Sequence, residues 1–122
     1  MSTTLFEHVG GQPFFDQLVD RFYNGVETDA PLRSLYPQDL EPGKRALALF
    51  LGQYFGGPTT YSDEKGHPRL RMRHVDFAIG EAERDGWVKH MTAAVLAAEL
   101  DQPAQTKMLD YFTMAAQHMI NV

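Results

Sequence analysis

The stretch Gly66-His67-Pro68-Arg69-Leu70-Arg71-Met72-Arg73-His74-Val75-Asp76-Phe77 decides how this chain is read. A proline pushes the residue before it away from the helical region, so His67-Pro68 reads as a turn or extended dipeptide. Pro68 itself suits a first helical turn, which predicts a short helix starting there and carrying Leu70, Met72 and His74. Leu70 and His74 then share one face, and Arg69 and Arg73 share the face beside it. An imidazole on an apolar strip, flanked by two guanidinium groups, is unusual for packing alone. It suits a site for a large apolar ligand with an anionic edge.

The chain has 122 residues, enough to bury a core without disulfides or a structural metal, and residues 1–122 read as one domain. Its apolar fraction of 43% is ordinary for a globular protein. A formal net charge of −5 argues against general affinity for nucleic acid or an anionic membrane, so the arginines around His74 stand out locally. Cysteine is absent, which removes disulfides, thiolate metal sites and a cysteine nucleophile. A bound metal must use His, Met, Tyr or carboxylates. The opening MSTTLFEHVGG lacks the basic region and apolar run of a secretory signal, and Ala46 to Leu51 is too short to cross a bilayer. A soluble cytoplasmic protein is expected, with no membrane or nucleic-acid partner.

Outward from the central stretch, every segment with a period is helical. Thr3 or Thr4 caps an opening turn through Val9, stopped by Gly10-Gly11. From Pro13, Phe15, Leu18, Val19, Phe22 and Val26 recur at core-face spacing, with Tyr23 beside the stripe. Asp29 is a cap for a turn from Ala30-Pro31 through Leu32 and Leu35, which Tyr36-Pro37 ends. Residues 37–43 read as a connector, followed by a helix from Lys44 to Tyr54 that Gly56-Gly57-Pro58 stops. The polar run TTYSDEKG at 59–66 reads as a loop. Gly80 to Leu100 is helical with Trp87, Met91, Val95 and Ala98 inward, and Asp101-Gln102-Pro103 breaks it. A last helix from Ala104 to about Ile120 buries Leu109, Phe112, Ala116 and Met119 or Ile120. No segment alternates as a half-buried strand does, and the fold class is all-α.

Four of the five histidines have ordinary readings. His8 lies in a terminal turn, His67 in a turn before proline, His90 on the flank of the Trp87 stripe, and His118 at a helix end where the dipole favours it. His74 is the candidate ligand, although spacing alone leaves a structural core histidine as an alternative. There is no HExxH, no GxSxG, no Cys/His pair and no phosphate-cradling glycine loop, so a conventional hydrolase or NTPase finds no support.

Taken together, VGG at 9–11, RFY at 21–23, LYP at 35–37, FLGQYFGGP at 50–58, YS at 61–62, GHPRLRMRH at 66–74 and ERDGWVKHM at 83–91 resemble the group II truncated haemoglobins of bacteria and plants. The match runs from about Leu5 to Asn121. It implies a truncated globin, a two-over-two helical sandwich around haem b. On the match at GHPRLRMRH, His74 would ligate the iron through one ring nitrogen and donate from the other to the carbonyl of Leu70. Arg73 would point towards a haem propionate, with Arg69 or Tyr61 helping.

On the other side of the iron the resemblance implies Tyr23, Tyr36 and Trp87. Phenol O–H and indole N–H are donors that stabilise the partial negative charge of iron-bound dioxygen. Gly43 matches the place where many globins put a distal histidine, which leaves that edge open. Leu47 would face the haem as an apolar wall, with Phe50, Phe77 and Met91 as further candidates. Two departures stand out: related sequences often carry a basic residue at the position of Ala46, which Lys44 or Arg45 would have to replace, and the connector after Tyr36 is shorter by a residue.

The function implied is binding of dioxygen and other diatomic ligands, with slow dioxygen release. Redox chemistry, such as peroxide reduction or nitric oxide oxidation with an unidentified reductant, then fits better than transport. A peroxidase-type enzyme and a ligand sensor or storage protein are the alternatives. Oligomeric state stays open. A cofactor-free helical interaction module would leave Tyr23, Tyr36, Trp87 and His74 unexplained.

Overall fold

The computed structural model describes residues 3–122 and folds them into eight helices. Helix α1 (Leu5–Val9) starts where the Thr4 hydroxyl accepts from the Glu7 N–H and ends at Gly10, whose φ of +114° suits glycine. Helix α2 (Gln12–Glu27) buries Phe15, Leu18, Val19, Phe22, Tyr23 and Val26 along the stripe its spacing predicts. Asp29 caps α3 (Ala30–Arg33) through the Leu32 N–H, and α4 (Glu41–Tyr54), α5 (Thr60–Lys65) and α6 (Leu70–Arg73) follow. The long helices α7 (Glu81–Ala97) and α8 (Gln102–Met119) complete the chain.

Helix α2 packs on α4 and on α7, α7 packs on α8, and the short α6 rests against α8. The pairs α2–α4 and α7–α8 form the two layers of a two-over-two sandwich. Phe15, Phe22, Met91, Val95, Met108 and Phe112 interlock between the layers at 2% exposure or less. Truncating a buried phenylalanine here would cost about 3–5 kcal/mol, because a rigid core does not refill the void.

Two histidines act as staples. His90 shares a hydrogen bond with Asp29 (Nε2 to Oδ2, 2.9 Å), tying α7 to the cap of α3, and its ring lies on Gly25 of α2, where a Cβ would meet it. This bond first, and the Leu32 N–H next, hold the Asp29 carboxyl below the usual carboxylate range. His8 is exposed as expected but pairs with Asp101 (Nε2 to Oδ1, 2.6 Å), the residue that caps α8.

Several boundaries differ from the reading of the sequence. Residues 60–65 are helical rather than a loop, and Tyr61 is buried in that helix. Helix α6 begins at Leu70, not Pro68, because Arg69 adopts a left-handed φ of +44°. His74 is therefore the residue that closes α6 rather than one inside it. Helix α4 starts at Glu41, three residues before Lys44, with Pro42 in its first turn. Helix α7 ends at Ala97 rather than Leu100, and α8 starts at Gln102 rather than Ala104. In α8 the fully buried side chain is Met108, and Leu109 is only half-buried. Among the described residues no helix is long and apolar enough to cross a membrane.

Candidate functional site

A cavity of about 330 Å³ opens between the layers, lined by residues of α2 to α8 and overwhelmingly apolar. Its chemistry is carried by His74 at the end of α6, Tyr23 on α2, Trp87 on α7 and Tyr36 in the turn that follows α3.

His74 Nδ1 lies 2.6 Å from the Leu70 carbonyl. A carbonyl only accepts, so Nδ1 carries the proton and Nε2 keeps a free lone pair. The segment after His74 is clamped from the far end of the chain. Asn121 donates through Nδ2 to the carbonyls of His74 (3.2 Å) and Phe77 (2.8 Å), and its Oδ1 accepts from the Ile79 N–H (2.9 Å). Arg73 lines the cavity, yet its guanidinium mainly holds the preceding loop. Nε donates to the Pro68 carbonyl (2.6 Å), and Nη2 to those of Lys65 (2.8 Å) and His67 (3.3 Å).

On the other wall, the rings of Tyr23 and Tyr36 meet edge-on at 5.6 Å, and Trp87 lies between Phe22 (5.3 Å) and Phe112 (5.9 Å). Burial pushes the Tyr23 phenol up to about 12. Tyr36 is also raised, by burial and then by Tyr23, against an opposing hydrogen bond from Trp87. Both phenols are therefore neutral O–H groups at physiological pH. Gly43 is small for a reason: a Cβ there would sit 2.9 Å from the Tyr23 hydroxyl oxygen.

These residues fit a haem. The lining would accept an apolar macrocycle, the free Nε2 could serve as a ligand to its iron, and Arg73 and Arg84 at the lining suit its carboxylates. Among the described residues no three His, Cys, Asp or Glu side chains cluster to hold a metal ion.

Comparison with known proteins agrees. The model of the bacterial-like globin family matches residues 4–121. The chain belongs to that family. Over 111 residues it is 36% identical to the group 2 truncated haemoglobin YjbI of Bacillus subtilis, covering 91% of this chain and 84% of that one. Among solved structures, a haemoglobin from Chloroflexus aurantiacus superposes with a TM-score of 0.97 at 54% identity, over 99% of this chain and 100% of that one. The group II truncated haemoglobin of Bacillus anthracis superposes at 0.96 with 34% identity, over 100% and 94%. The chain is thus a truncated haemoglobin of the group II kind, and its cofactor is haem b.

Most residues singled out in this globin's sequence lie on the cavity: Gly43, Leu47, Phe50, Tyr61, Leu70 and Phe77 join His74, Arg73 and the three donors there. Two do not. Met91 is fully buried in the core and is not among the lining residues, and Arg69 is exposed, held by its N–H on His67 Nδ1 (3.1 Å). Neither Lys44 nor Arg45 replaces the missing base at Ala46. Arg45 forms a two-pronged pair with Glu64 (2.6 and 2.8 Å), and Lys44 lies 5.9 Å over the Tyr23 ring. Arg84 of α7 reaches the lining alongside Arg73.

The sequence reading missed the contribution of α8, whose Tyr111, Ala115 and Met119 also line the cavity. A signal was present, since these residues recur every fourth position beside the core stripe. Asn121 left no such signal, because it follows the last helical turn and acts through loop carbonyls.

Proposed function

We propose that this globin binds dioxygen and other diatomic ligands at an iron ligated by His74, releases dioxygen slowly, and uses it in redox chemistry rather than transport. One observation carries the reading: a single imidazole with a free Nε2 shares an apolar cavity with two neutral phenols and an indole. Bound haem supplies the iron that takes the diatomic ligand and changes oxidation state. The protein supplies the rest.

The Leu70 carbonyl fixes the tautomer and orientation of His74 and makes Nε2 more basic. The Trp87 indole N–H and the Tyr36 O–H both stand at the cavity lining, each a donor for an acceptor held there. Tyr23, held by the α2 core and the space at Gly43, offers a second O–H. Each hydrogen bond to a bound oxygen is worth about 1 kcal/mol in such a site, enough to slow its departure about fivefold or more. Gly43, where a distal base would stand, offers no proton carrier, which weighs against efficient peroxidase catalysis on the family's usual plan. The chain would work as one domain, in the cytoplasm, with a separate reductant.

The test is a haemin titration of purified protein, followed by reduction under dioxygen and stopped-flow displacement. One-to-one uptake, a stable oxygenated spectrum and a slow off-rate are expected. Uptake without a proximal-imidazole signature would overturn the role of His74, and rapid oxygen loss would return the protein to transport.

A further inference from the structure

Helix α6 and the turn after it leave one face of the molecule without a partner. Helix α6 buries no residue. Of the seven large apolar side chains exposed among the described residues, three stand within 72–77: Met72 at 58%, Val75 at 65% and Phe77 at 42%. They are set among cations. Residues 65–77 hold Lys65, Arg69, Arg71 and Arg73 against the single carboxylate of Asp76, a formal +3 in a chain of −5, so the remainder carries −8. Among the described residues none of these four cations forms an ion pair, whereas Lys44, Arg45 and Arg84 each do. Arg71 donates to the His118 carbonyl and Arg73 to three loop carbonyls, which holds the two side chains in place without cancelling their charge. Arginine, methionine and phenylalanine together are the composition of a protein interface, not of ordinary solvated surface.

Phe77 connects this face to the site, since it also lines the cavity and its ring lies 6.4 Å from the His74 imidazole. Resting on the haem reading above, we propose that this face is the docking surface for a small one-electron carrier protein with an acidic patch, which reduces the haem there. One electron leaves the carrier, which is oxidised, and arrives at the iron held by His74, which is reduced from ferric to ferrous. No proton or group is transferred. Charge decides the kind of partner. A carrier with an acidic patch is drawn to the +3 face and repelled by the rest of the molecule, which orients it with Phe77 and His74 beneath the contact. An extended polyanion, such as a bilayer surface or a nucleic acid, would also meet the −8 beyond the face. A small protein covers only what it needs, about 800 Å² on each side for a standard interface and less for a transient redox encounter.

The experiment mixes haemin-loaded ferric protein anaerobically with a reduced plant-type ferredoxin, an acidic one-electron carrier, and follows haem reduction by stopped flow. Lys65→Glu combined with Arg71→Glu reverses two charges that line no part of the cavity. At low salt the second-order rate should fall about tenfold or more in this double variant, while dithionite reduces both proteins nearly alike. Added salt should slow the wild type steeply and the variant hardly at all. Met72→Ser with Val75→Ser should keep the salt dependence and raise the ferredoxin concentration for half-saturation severalfold, since apolar contact holds a complex that charge has steered together. An unchanged rate in the charge-reversed protein, with haem bound and reducible by dithionite, would overturn the docking face and leave the haem reading intact. Wild-type protein that sediments with phosphatidylserine vesicles but not with phosphatidylcholine vesicles, and loses this in the double variant, would give the face to a membrane and overturn the carrier. Protein that takes up no haemin, visible before ferredoxin is added, would overturn the docking role and the haem reading together.

Discussion

The wall that carries Tyr23, Tyr36 and Trp87 stands on or beside α2 and α7, whose faces interlock in the core, whereas His74 closes α6, a four-residue helix with no buried residue. The first wall is positioned by packing. A donor there can shift only if Phe22, Met91 or their neighbours shift, and a close-packed interior resists that. The second wall is positioned by polar tethers: Arg73 on three loop carbonyls, Asn121 on residues 74–79, and the Leu70 carbonyl on the imidazole. Such tethers are each worth about 1 kcal/mol and can be cut singly without unfolding the protein. The donors are fixed by the fold, while the imidazole proposed as the ligand to the iron is fixed by a handful of bonds.

The sharpest way to break this contrast is His74→Ala. It should abolish one-to-one haemin binding, leave the thermal unfolding of the haem-free protein nearly unchanged, and be partly rescued by added imidazole. A large fall in haem-free stability would show that the proximal segment supports the core after all. Trp87→Phe, on the packed wall, keeps the bulk and removes a donor. Dioxygen dissociation by stopped flow should accelerate by about five- to tenfold, the equivalent of about 1 kcal/mol.

Gly43→Ala places a methyl where the Tyr23 hydroxyl stands and should displace that donor. A smaller rise in dioxygen off-rate, about two- to fivefold for a hydrogen bond weakened but not lost, is the expected result. An unchanged rate would mean that Tyr23 takes no part in holding the ligand. Asn121→Ala cuts the tether on the other wall. Transfer of haemin to an excess of apomyoglobin should quicken severalfold while the denaturation midpoint of the haem-free protein moves little. Equal loss of both would deny that the clamp acts on the proximal segment in particular.

The mildest prediction concerns pH. The Tyr23 and Tyr111 phenols are raised from 10.0 to about 12 in the folded chain, so unfolded protein releases these protons first as pH rises. Their contribution to stability is full below about pH 10 and disappears as pH climbs towards 12. A phenolate titration in the ultraviolet should show them ionising only with alkaline unfolding. Early ionisation would mean that the packed wall is wetter than its burial indicates.

The sequence was legible where a local period carried the information. The α2 stripe from Phe15 to Val26 needs only the helical repeat, and the caps Thr4 and Asp29 need only the residue and its neighbours. It misled at 60–65, where Thr, Ser and Asp read as a loop. There the helix is made by its partners: Gln53 of α4 bonds Ser62 twice (2.7 and 3.0 Å), Arg45 grips Glu64, and Tyr61 buries its ring against Phe50. Arg69 broke the expected helix start in the same way, since no local rule demands a left-handed arginine.

By itself, then, the sequence determined the long helices, most of their inner faces and an imidazole set on an apolar strip, because each depends on residues within a turn or two of one another. The tertiary structure decided that Gly43 must leave space for the Tyr23 hydroxyl, that Asn121 reaches back to hold residues 74–79, and that Tyr111 lines both the cavity and a second, open groove. Those contacts join residues far apart in the chain, and they exist only where rigid helices cross at a particular place and angle.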